Sequence, residues 1–324
     1  MDHKSLQSRI RPTLSGLILA LTMLCVVPVS ASGSSFNDLD ISNLELASVH
    51  AAVMDLETGE VLHGKFPDTT APIASITKVM TALVILESGQ PLDEYVTIVE
   101  RDRPAPVNAY SRIRIGSEAT REDLVRIALM ASENLAAHVL ARQYPGGFDA
   151  FVQAMNEKAR ELGMASTEFV DPSGLSSDNR STAADLTRLL NAAWEHELLR
   201  ELSTTRYHTV HFRSPRYQLR YGNTNVLVHR QRWDLGLTKT GYLNDAGRCL
   251  MMAAEIDGRP VGIVLLNSFG KRTPLGDAGR VKRWLTTGHS GSVAGPAQRY
   301  EQQQVNELKA ILETRTVATE DTNQ

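Results

Sequence analysis

Hydrophobic residues recur with two different periods near the start of this chain, and each period predicts a different element. Residues 47–54 are mostly apolar, and residues 60–65 resume the pattern after a turn at 55–59, which predicts a β-hairpin. Residues 75–87 repeat apolar positions with helical spacing, so they predict a helix with one buried face. The apolar residues on that face are Ile76, Val79, Met80, Leu83 and Leu86.

Helical periodicity continues through the middle of the chain, whereas strand-like runs dominate the last third. Helices are predicted at 121–130, 135–143, 147–162 and 182–195. Strands are predicted at 206–212, 219–221, 236–243, 249–256 and 261–266, with a helix at 274–286 after them. Because the order is strands, helices and strands without βαβ alternation, we predict an α+β fold. In this fold the N- and C-terminal strands form one antiparallel sheet, and the helical region is inserted between them.

The first 31 residues have the organisation of a secretory signal peptide. Basic residues come first, an apolar stretch occupies 14–29, and the small residues Ser30 and Ala31 end it. We therefore expect cleavage near Ala31 and export of the mature protein, with a retained membrane anchor as the alternative. Residues 32–45 are rich in Ser, Asn and Asp and predict a flexible lead.

Composition and charge narrow the class of protein further. The chain has 324 residues and a formal net charge of −3 at pH 7, which argues against a general nucleic-acid binder. Cys25 lies in the predicted signal peptide, so Cys249 has no partner for an intrachain disulfide. No segment after residue 31 is long and apolar enough to span a membrane, so membrane association is expected to be peripheral at most.

Candidate chemistry begins with Ser75 and Lys78 at the start of the first predicted helix. Residues three apart share a helix face, so the lysine can reach the serine hydroxyl. A serine nucleophile needs a nearby base, and a lysine can serve when burial and a second cation such as Lys239 lower its pKa. Read alone, the pair could also be a helix cap followed by a surface lysine. A second pair with this spacing, Ser268 and Lys271, follows a strand and contains a glycine, so no helix aligns it.

Two further polar motifs follow. Ser132-Glu-Asn134 lies between two predicted helices, where a short turn can present both side chains to a cleft. A similar triplet at 177–179 lies in a loop, so we prefer the first, whose alternative interpretation is a helix cap. Lys239-Thr240-Gly241 lies on a predicted strand. There an ammonium and a hydroxyl can hold a carboxylate, and the glycine lets a substrate lie close to the strand.

In this order the three motifs are the signature shared by class A β-lactamases and penicillin-binding proteins. The chain resembles the serine DD-peptidases of the penicillin-binding family, in particular the D-alanyl-D-alanine endopeptidase branch. The resemblance also includes Tyr144-Pro-Gly-Gly147, Val170-Asp-Pro-Ser-Gly-Leu175, Ser181-Thr-Ala-Ala-Asp185 and Asn223-Thr-Asn225. It implies a β-lactamase/transpeptidase-like fold for a catalytic domain at 46–287. A linker and polar tail would follow at 288–324, with a short helix at 305–312.

The resemblance also implies a role for each candidate residue. Ser75 would attack a D-alanyl carbonyl, Lys78 would take its proton, and Ser132 would relay a proton to the leaving amine. The backbone N–H groups of Ser75 and Tyr242 would form the oxyanion hole. Neither a cofactor nor a metal ion is expected. The expected substrate-binding residues are Asn134, Lys239, Thr240, Gly241, Tyr242 and Arg248.

The expected activity is therefore that of a penicillin-sensitive periplasmic peptidase that hydrolyses D-alanyl cross-links between peptidoglycan stem peptides. β-Lactams would acylate Ser75. A DD-carboxypeptidase uses the same catalytic residues, so the motifs do not separate the two activities. Only the shortness of the segment after residue 287 favours the endopeptidase. A class A β-lactamase is disfavoured because residues 171–179 lack the Glu that activates water in that class. A penicilloyl-serine receptor or a catalytically silent wall-binding module is the non-enzymatic alternative.

Two other patterns have simpler interpretations. His208 and His211 would face opposite sides of a strand, which argues against a shared metal ion. Seven arginines between Arg200 and Arg232 could contact an anionic wall polymer, although such a run is more often a solvated surface.

Overall fold

The structure is a computed structural model that describes residues 39–101, 110–230 and 232–321. The predicted signal peptide and residues 32–38 of the predicted lead lie outside the described residues. The end of that lead is packed rather than free, since Leu44 is buried and the carbonyl of Asn43 accepts a hydrogen bond from the N–H of Ser290. Within the described ranges, no helix is both long and apolar enough to cross a membrane.

The elements in these ranges follow the predicted order. The strands are β1 (His50–Asp55), β2 (Val61–Lys65), β3 (Ala71–Pro72), β4 (Tyr95–Thr97), β5 (Glu118–Thr120), β6 (Arg180–Ser181), β7 (Tyr207–Phe212), β8 (Tyr217–Gly222), β9 (Asp234–Leu243), β10 (Gly247–Ile256) and β11 (Arg259–Ser268). The helices are α1 (Thr77–Glu87), α2 (Arg121–Met130), α3 (Asn134–Arg142), α4 (Gly147–Glu161), α5 (Ala183–Trp194), α6 (Glu197–Thr204), α7 (Val226–His229), α8 (Thr273–Thr287) and α9 (Gly295–Asp321). A 3₁₀ turn at Ala74–Ile76 directly precedes α1.

A five-stranded antiparallel sheet in the order β2-β1-β11-β10-β9 organises the fold. Strand β1 pairs with β11, so that His50 lies opposite Leu266 and the two ends of the chain share one sheet. The predicted hairpin β1–β2 is present, and the predicted strands β10 and β11 also pair as a hairpin. The predicted α+β class, with helices inserted between two sheet-forming parts, is confirmed.

Apolar side chains cover both faces of this sheet. On one face, Trp284 of α8 packs with Val53 and Leu250 of the strands. On the other face, the inserted helices pack against Met251 and Val264, because successive strand residues point to opposite sides. The edge strand β9 lies beside the 3₁₀ turn that precedes α1. This contact places two of the three sequence motifs next to each other.

Strands β7 and β8 form a separate two-stranded hairpin and do not extend the main sheet. One face of the hairpin carries Val210 and Phe212, which are buried in the same core as the inserted helices. The other face carries Tyr207 and Arg220, which are exposed. The hairpin therefore packs on the helical region with one face exposed, and its second strand leads to the segment 223–225.

The C-terminal segment differs most from its prediction. The helix expected at 305–312 is much longer and forms α9, which begins at Gly295 and takes in most of the expected polar tail. Ala297 is buried, and Tyr300 Oη donates a hydrogen bond to Asn267 Oδ1 at 2.6 Å. Glu301 forms an ion pair with Lys65 at 2.8 Å. These partners are distant in sequence, so the polar composition of the tail did not reveal them.

Candidate active site

Ser75 lies in the 3₁₀ turn, and Lys78 follows it in the first turn of α1. Lys78 is fully buried, with an exposed fraction of 0 %. Its Nζ lies 2.9 Å from Ser75 Oγ, 2.7 Å from Asn134 Oδ1 and 2.5 Å from the carbonyl oxygen of Ser173. The two carbonyl oxygens can only accept hydrogen bonds, whereas the serine hydroxyl can also donate one. A neutral Lys78 can therefore donate to both carbonyls and turn its lone pair toward Ser75.

Burial lowers the pKa of Lys78 to about 7. Asp171 and Glu133 oppose this effect because they favour the charged form, while Arg101 lowers the pKa of Lys78 further. The predicted effect of burial is thus confirmed, and Arg101 is a cation that the sequence did not reveal as a neighbour of Lys78. Burial and then the charge of Lys78 hold the pKa of Lys239 well below its ordinary value.

Ser132 lies in the turn between α2 and α3 and has a left-handed backbone with a φ of 58°. A residue other than glycine in this region costs about 1–3 kcal/mol, so the surrounding structure must hold it there. Its Oγ accepts a hydrogen bond from Lys239 Nζ at 3.0 Å. Glu133 caps α3 instead, by accepting from the N–H of Leu135 at 3.1 Å. The Ser132 hydroxyl is therefore not used as a helix cap and faces Lys239.

Lys239, Thr240 and Gly241 lie on the edge strand β9, and Lys239 is only 1 % exposed. A Cβ atom on Gly241 would lie 3.2 Å from the backbone nitrogen of Ser75. A side chain at this position would force β9 or the Ser75 turn to shift by a few tenths of an ångström, before any substrate is considered. Thr240 Oγ1 lies 2.7 Å from Thr224 Oγ1. The strand brings an amine and a hydroxyl to the site, and Thr224 adds a second hydroxyl from outside the strand.

The loop 171–179 completes the site, although its sequence indicated only a turn and a rival motif. The carboxylate of Asp171 accepts hydrogen bonds at 2.6–2.8 Å from the backbone N–H groups of Ser173, Gly174 and Ser176. Asn179 is fully buried, and its Nδ2 donates to Thr77 Oγ1 at 3.0 Å. The rival triplet at 177–179 is therefore part of the loop that supports the site.

Gly174 fixes how closely this loop approaches the Ser75 turn. Its φ is 75°, and a Cβ atom built on it would lie 1.9 Å from the carbonyl oxygen of Ala74. A larger residue would push the loop away and withdraw the Ser173 carbonyl from Lys78. The turn residues Asp-Pro-Ser-Gly at 171–174 were visible in the sequence, but nothing local indicated that their carbonyl would reach a lysine.

Arg248 lies opposite Tyr242 in the pairing of β9 with β10. Its guanidinium carbon is 3.7 Å from the ring centroid of Tyr242, which is 49 % exposed. This geometry is a cation–π contact, and the two side chains lie near the end of the motif strand β9. The expected role of Arg248 in carboxylate binding stays a prediction.

The remaining candidates have other partners. Ser268 is buried, and its Oγ lies 2.7 Å from Ser48 Oγ, while Lys271 is exposed. His208 Nε2 lies 2.6 Å from the carboxylate of Asp123. Across the ranges that the structure describes, no cluster of three or more metal-ligating side chains is present.

A family model for D-alanyl-D-alanine carboxypeptidases matches residues 37–270. The chain belongs to this family. It is 47 % identical over 294 residues to a D-alanyl-D-alanine endopeptidase of Pseudomonas aeruginosa, which covers 91 % of this chain and 94 % of that protein. It is 43 % identical over 299 residues to a D-alanyl-D-alanine endopeptidase of Escherichia coli, covering 92 % of this chain and 96 % of that protein.

Solved structures share the fold. The DD-transpeptidase of Streptomyces K15 has a TM-score of 0.68 and 27 % identity, covering 75 % of this chain and 97 % of that chain. Penicillin-binding protein D2 of Listeria monocytogenes, solved with cefotaxime bound, has a TM-score of 0.65 and 29 % identity, covering 76 % of this chain and 99 % of that chain. The predicted family resemblance and the predicted transpeptidase-like fold are confirmed.

Proposed function

We propose that this protein is a serine DD-peptidase that hydrolyses D-alanyl cross-links between peptidoglycan stem peptides through an acyl-enzyme at Ser75. The observation that carries the proposal is the buried Lys78, whose Nζ is held by Asn134 and the Ser173 carbonyl and lies 2.9 Å from Ser75 Oγ. Because burial lowers its pKa to about 7, a large share of Lys78 is neutral near pH 7 and can act as a base. Two similar proteins named endopeptidases support this activity.

Acylation begins when Ser75 Oγ attacks the carbonyl carbon of a D-alanyl residue and its proton passes to Lys78 Nζ. The oxyanion of the tetrahedral intermediate would accept hydrogen bonds from the backbone N–H groups of Ser75 and Tyr242, each typically worth ~3 kcal/mol. The C–N bond then breaks, and the amine leaves with a proton from Ser132 Oγ. Ser132 is replenished by the proton that Lys78 took from Ser75, so protons balance.

Deacylation repeats these steps with water in place of the amine. Water attacks the acyl carbon while Lys78 takes one of its protons, and the ester bond to Ser75 breaks. The proton returns from Lys78 to Ser75 Oγ, which restores the free enzyme and releases the peptide as a carboxylic acid. A β-lactam would form the same ester with Ser75.

The residue that leaves carries a carboxylate next to the scissile amide, and Lys239 and Thr240 are placed to hold it. In the free site the pKa of Lys239 lies well below its ordinary value because Lys239 is buried. A bound carboxylate favours the charged form of the lysine. Substrate binding would therefore supply the anionic partner that Lys239 lacks in the free enzyme.

Three alternatives differ in their products. The names of both similar relatives favour cross-link cleavage over removal of a terminal D-alanine. A β-lactamase is disfavoured because the carboxylate of Asp171 is occupied by backbone N–H groups and the loop 171–179 holds no Glu. A receptor would be acylated at Ser75 in the same way but would not turn over peptide.

We further propose that residues 46–287 are the catalytic domain and that residues 1–31 direct export to the periplasm. There the mature protein meets its substrate, the peptidoglycan. No nucleic-acid partner is proposed, and any membrane association would be peripheral.

The test uses protein lacking residues 1–31, as wild type and as Ser75→Ala. Separate samples of each are incubated with a fluorescent penicillin or with purified cross-linked muropeptide dimers. The wild type is expected to be labelled covalently and to convert dimers to monomers, and Ser75→Ala is expected to do neither, because the nucleophile is absent.

Labelling without dimer cleavage would retain Ser75 as the nucleophile but change the activity to carboxypeptidase or receptor. A monomeric pentapeptide substrate would then separate these two. A folded wild type that is not labelled would refute the role of Ser75.

A further inference from the structure

Positive charge is concentrated in one stretch of a chain that is slightly acidic as a whole. Between Glu201 and Asp234 the sequence holds six arginines and no acidic residue, although the formal net charge of the chain is −3. The hairpin β7–β8 occupies the middle of this stretch. Its exposed surface is therefore strongly basic, and clustered charge of one sign attracts ligands of the opposite sign.

Four exposed arginines in this region lie against tyrosine rings, and we name them with their rings the arginine–tyrosine surface. The Cζ atom of each lies 3.3–5.0 Å from a ring centroid. Two come from the hairpin and two from the segment that runs beside β8. The pairs are Arg112 with Tyr221, Arg114 with Tyr217, Arg213 with Tyr95, and Arg220 with Tyr207.

Some arginines elsewhere are paired with carboxylates, whereas these four are not. Arg121 pairs with Glu94 at 2.6 Å, and Arg126 pairs with Glu122 at 2.7 Å. Among the described residues, no carboxylate lies within 4.0 Å of the four arginines of the surface. Stacking holds each guanidinium in a defined orientation without cancelling its charge. Planar groups fixed in this way are ready to bind carboxylates with two parallel hydrogen bonds.

Strand β8 connects this surface to the active site. The guanidinium of Arg112 donates to the carbonyl of Arg220 at 2.9 Å, which ties the two sides of the surface together. Strand β8 then leads to Thr224, whose N–H donates to the carbonyl of Met130 and whose Oγ1 lies 2.7 Å from Thr240 Oγ1. From Tyr217, where β8 begins, to Thr224 the chain advances seven residues, which at roughly 3.3 Å per extended residue is about 23 Å.

We propose that the arginine–tyrosine surface binds carboxylate-bearing stem peptides of polymeric peptidoglycan beyond the bond that is cleaved. The proposal rests on the proposed function, because that function places a peptidoglycan strand in the active site, to which β8 connects the surface. Stem peptides carry free carboxylates at intervals along the polymer, which matches several fixed guanidinium groups on and beside one hairpin. The surface would select the polymer over short soluble fragments, since fragments end before they reach it.

The binding test uses sedimentation with insoluble purified peptidoglycan, with every protein carrying Ser75→Ala so that the polymer stays intact. The test variant adds Arg114→Gln, Arg213→Gln and Arg220→Gln, and keeps Arg112 because it also donates to a backbone carbonyl. The control variant adds Arg160→Gln, Arg283→Gln and Arg299→Gln, which remove the same charge from exposed positions on other helices. We expect the test variant to bind at least tenfold more weakly and the control to bind within twofold of its parent.

Two further arms address the chemistry of the ligand. Amidation of the peptidoglycan carboxylates is expected to weaken binding of the parent to the level of the test variant. Replacement of the same three arginines by lysine keeps the charge and loses the planar group, so we expect a loss between those of parent and test variant. Thermal unfolding of each variant verifies that it is folded. If the glutamine variant is unfolded, the lysine variant replaces it in the comparison with the parent.

Equal binding by test variant and parent, or equal loss in test and control variants, would overturn the proposal. Binding by the parent to phosphatidylglycerol vesicles but not to peptidoglycan would also overturn it. With Ser75 restored, the ratio of kcat/KM on polymer to kcat/KM on soluble dimers is expected to fall at least fivefold in the test variant. A wild type that cleaves neither substrate would refute the proposed function, while the sedimentation result would still decide the role of the surface.

Discussion

The two buried lysines of the site, Lys78 and Lys239, have different surroundings, which suit one to accept a proton and the other to bind a carboxylate. Lys78 has three polar partners, two of which are carbonyl oxygens that can only accept. Lys239 has Ser132 Oγ and its neighbour's carbonyl as partners. Burial lowers the pKa of both lysines. The difference therefore lies in the hydrogen-bond partners of each amine. Protein groups supply all of them for Lys78, whereas in our proposal the substrate supplies one for Lys239.

The comparison shows that burial alone does not assign a catalytic role. A buried lysine whose donor positions are filled by fixed carbonyls is poised to exchange a proton with the remaining partner, Ser75. A buried lysine with a position open to the cleft is poised to receive an anion. Three experiments break or sharpen this contrast.

The largest effect is expected for Lys78→Arg. A guanidinium stays charged and cannot accept a proton from Ser75, so the rate of acylation by fluorescent penicillin should fall at least ~10³-fold. Lys239→Arg is the matched control, because it preserves charge at the position proposed to need it, and its loss should be smaller. Acylation by Lys78→Arg within tenfold of wild type would show that Lys78 is not the base.

A smaller effect is expected for Lys239→Met. Loss of a buried partner for a carboxylate should lower kcat/KM on muropeptide dimers by about 10²-fold. A substrate with that carboxylate amidated should be poor for the wild type and no worse for the variant. If Lys239→Met still distinguished acid from amide as strongly as wild type, the carboxylate would be bound elsewhere.

The smallest effect concerns pH. Only neutral Lys78 can accept a proton, so the acylation rate should rise with pH through a midpoint of about 7 and level off above it. Arg101 lowers the pKa of Lys78, so Arg101→Gln should move this midpoint to higher pH. Stopped-flow acylation across the pH range measures the shift, with Arg283→Gln as the control. An unchanged or lower midpoint would contradict the contribution of Arg101.

Much of the fold follows from local patterns. Helical spacing predicted α1 and thereby the approach of Lys78 to Ser75, and strand patterns predicted β9, β10 and β11. Thr120 caps α2, and its side chain accepts from the N–H of Asp123 only three residues away. These features depend on residues a few positions apart, which is the range over which sequence periodicity carries information.

What the sequence by itself determined is therefore the order of the elements, the three motifs and the family to which they point. Only the tertiary structure decided that the Ser173 carbonyl holds Lys78 across 95 positions of chain, that Arg101 is a neighbouring cation and that the tail packs as α9. Every residue has a backbone carbonyl, so the sequence does not indicate which one will bind a lysine. The contacts of a polar helix depend on partners that are distant in the sequence. Short motifs in the sequence thus identify the residue types of this site. The proton affinity of its base is instead set by burial and by charges that the fold brings together from distant segments.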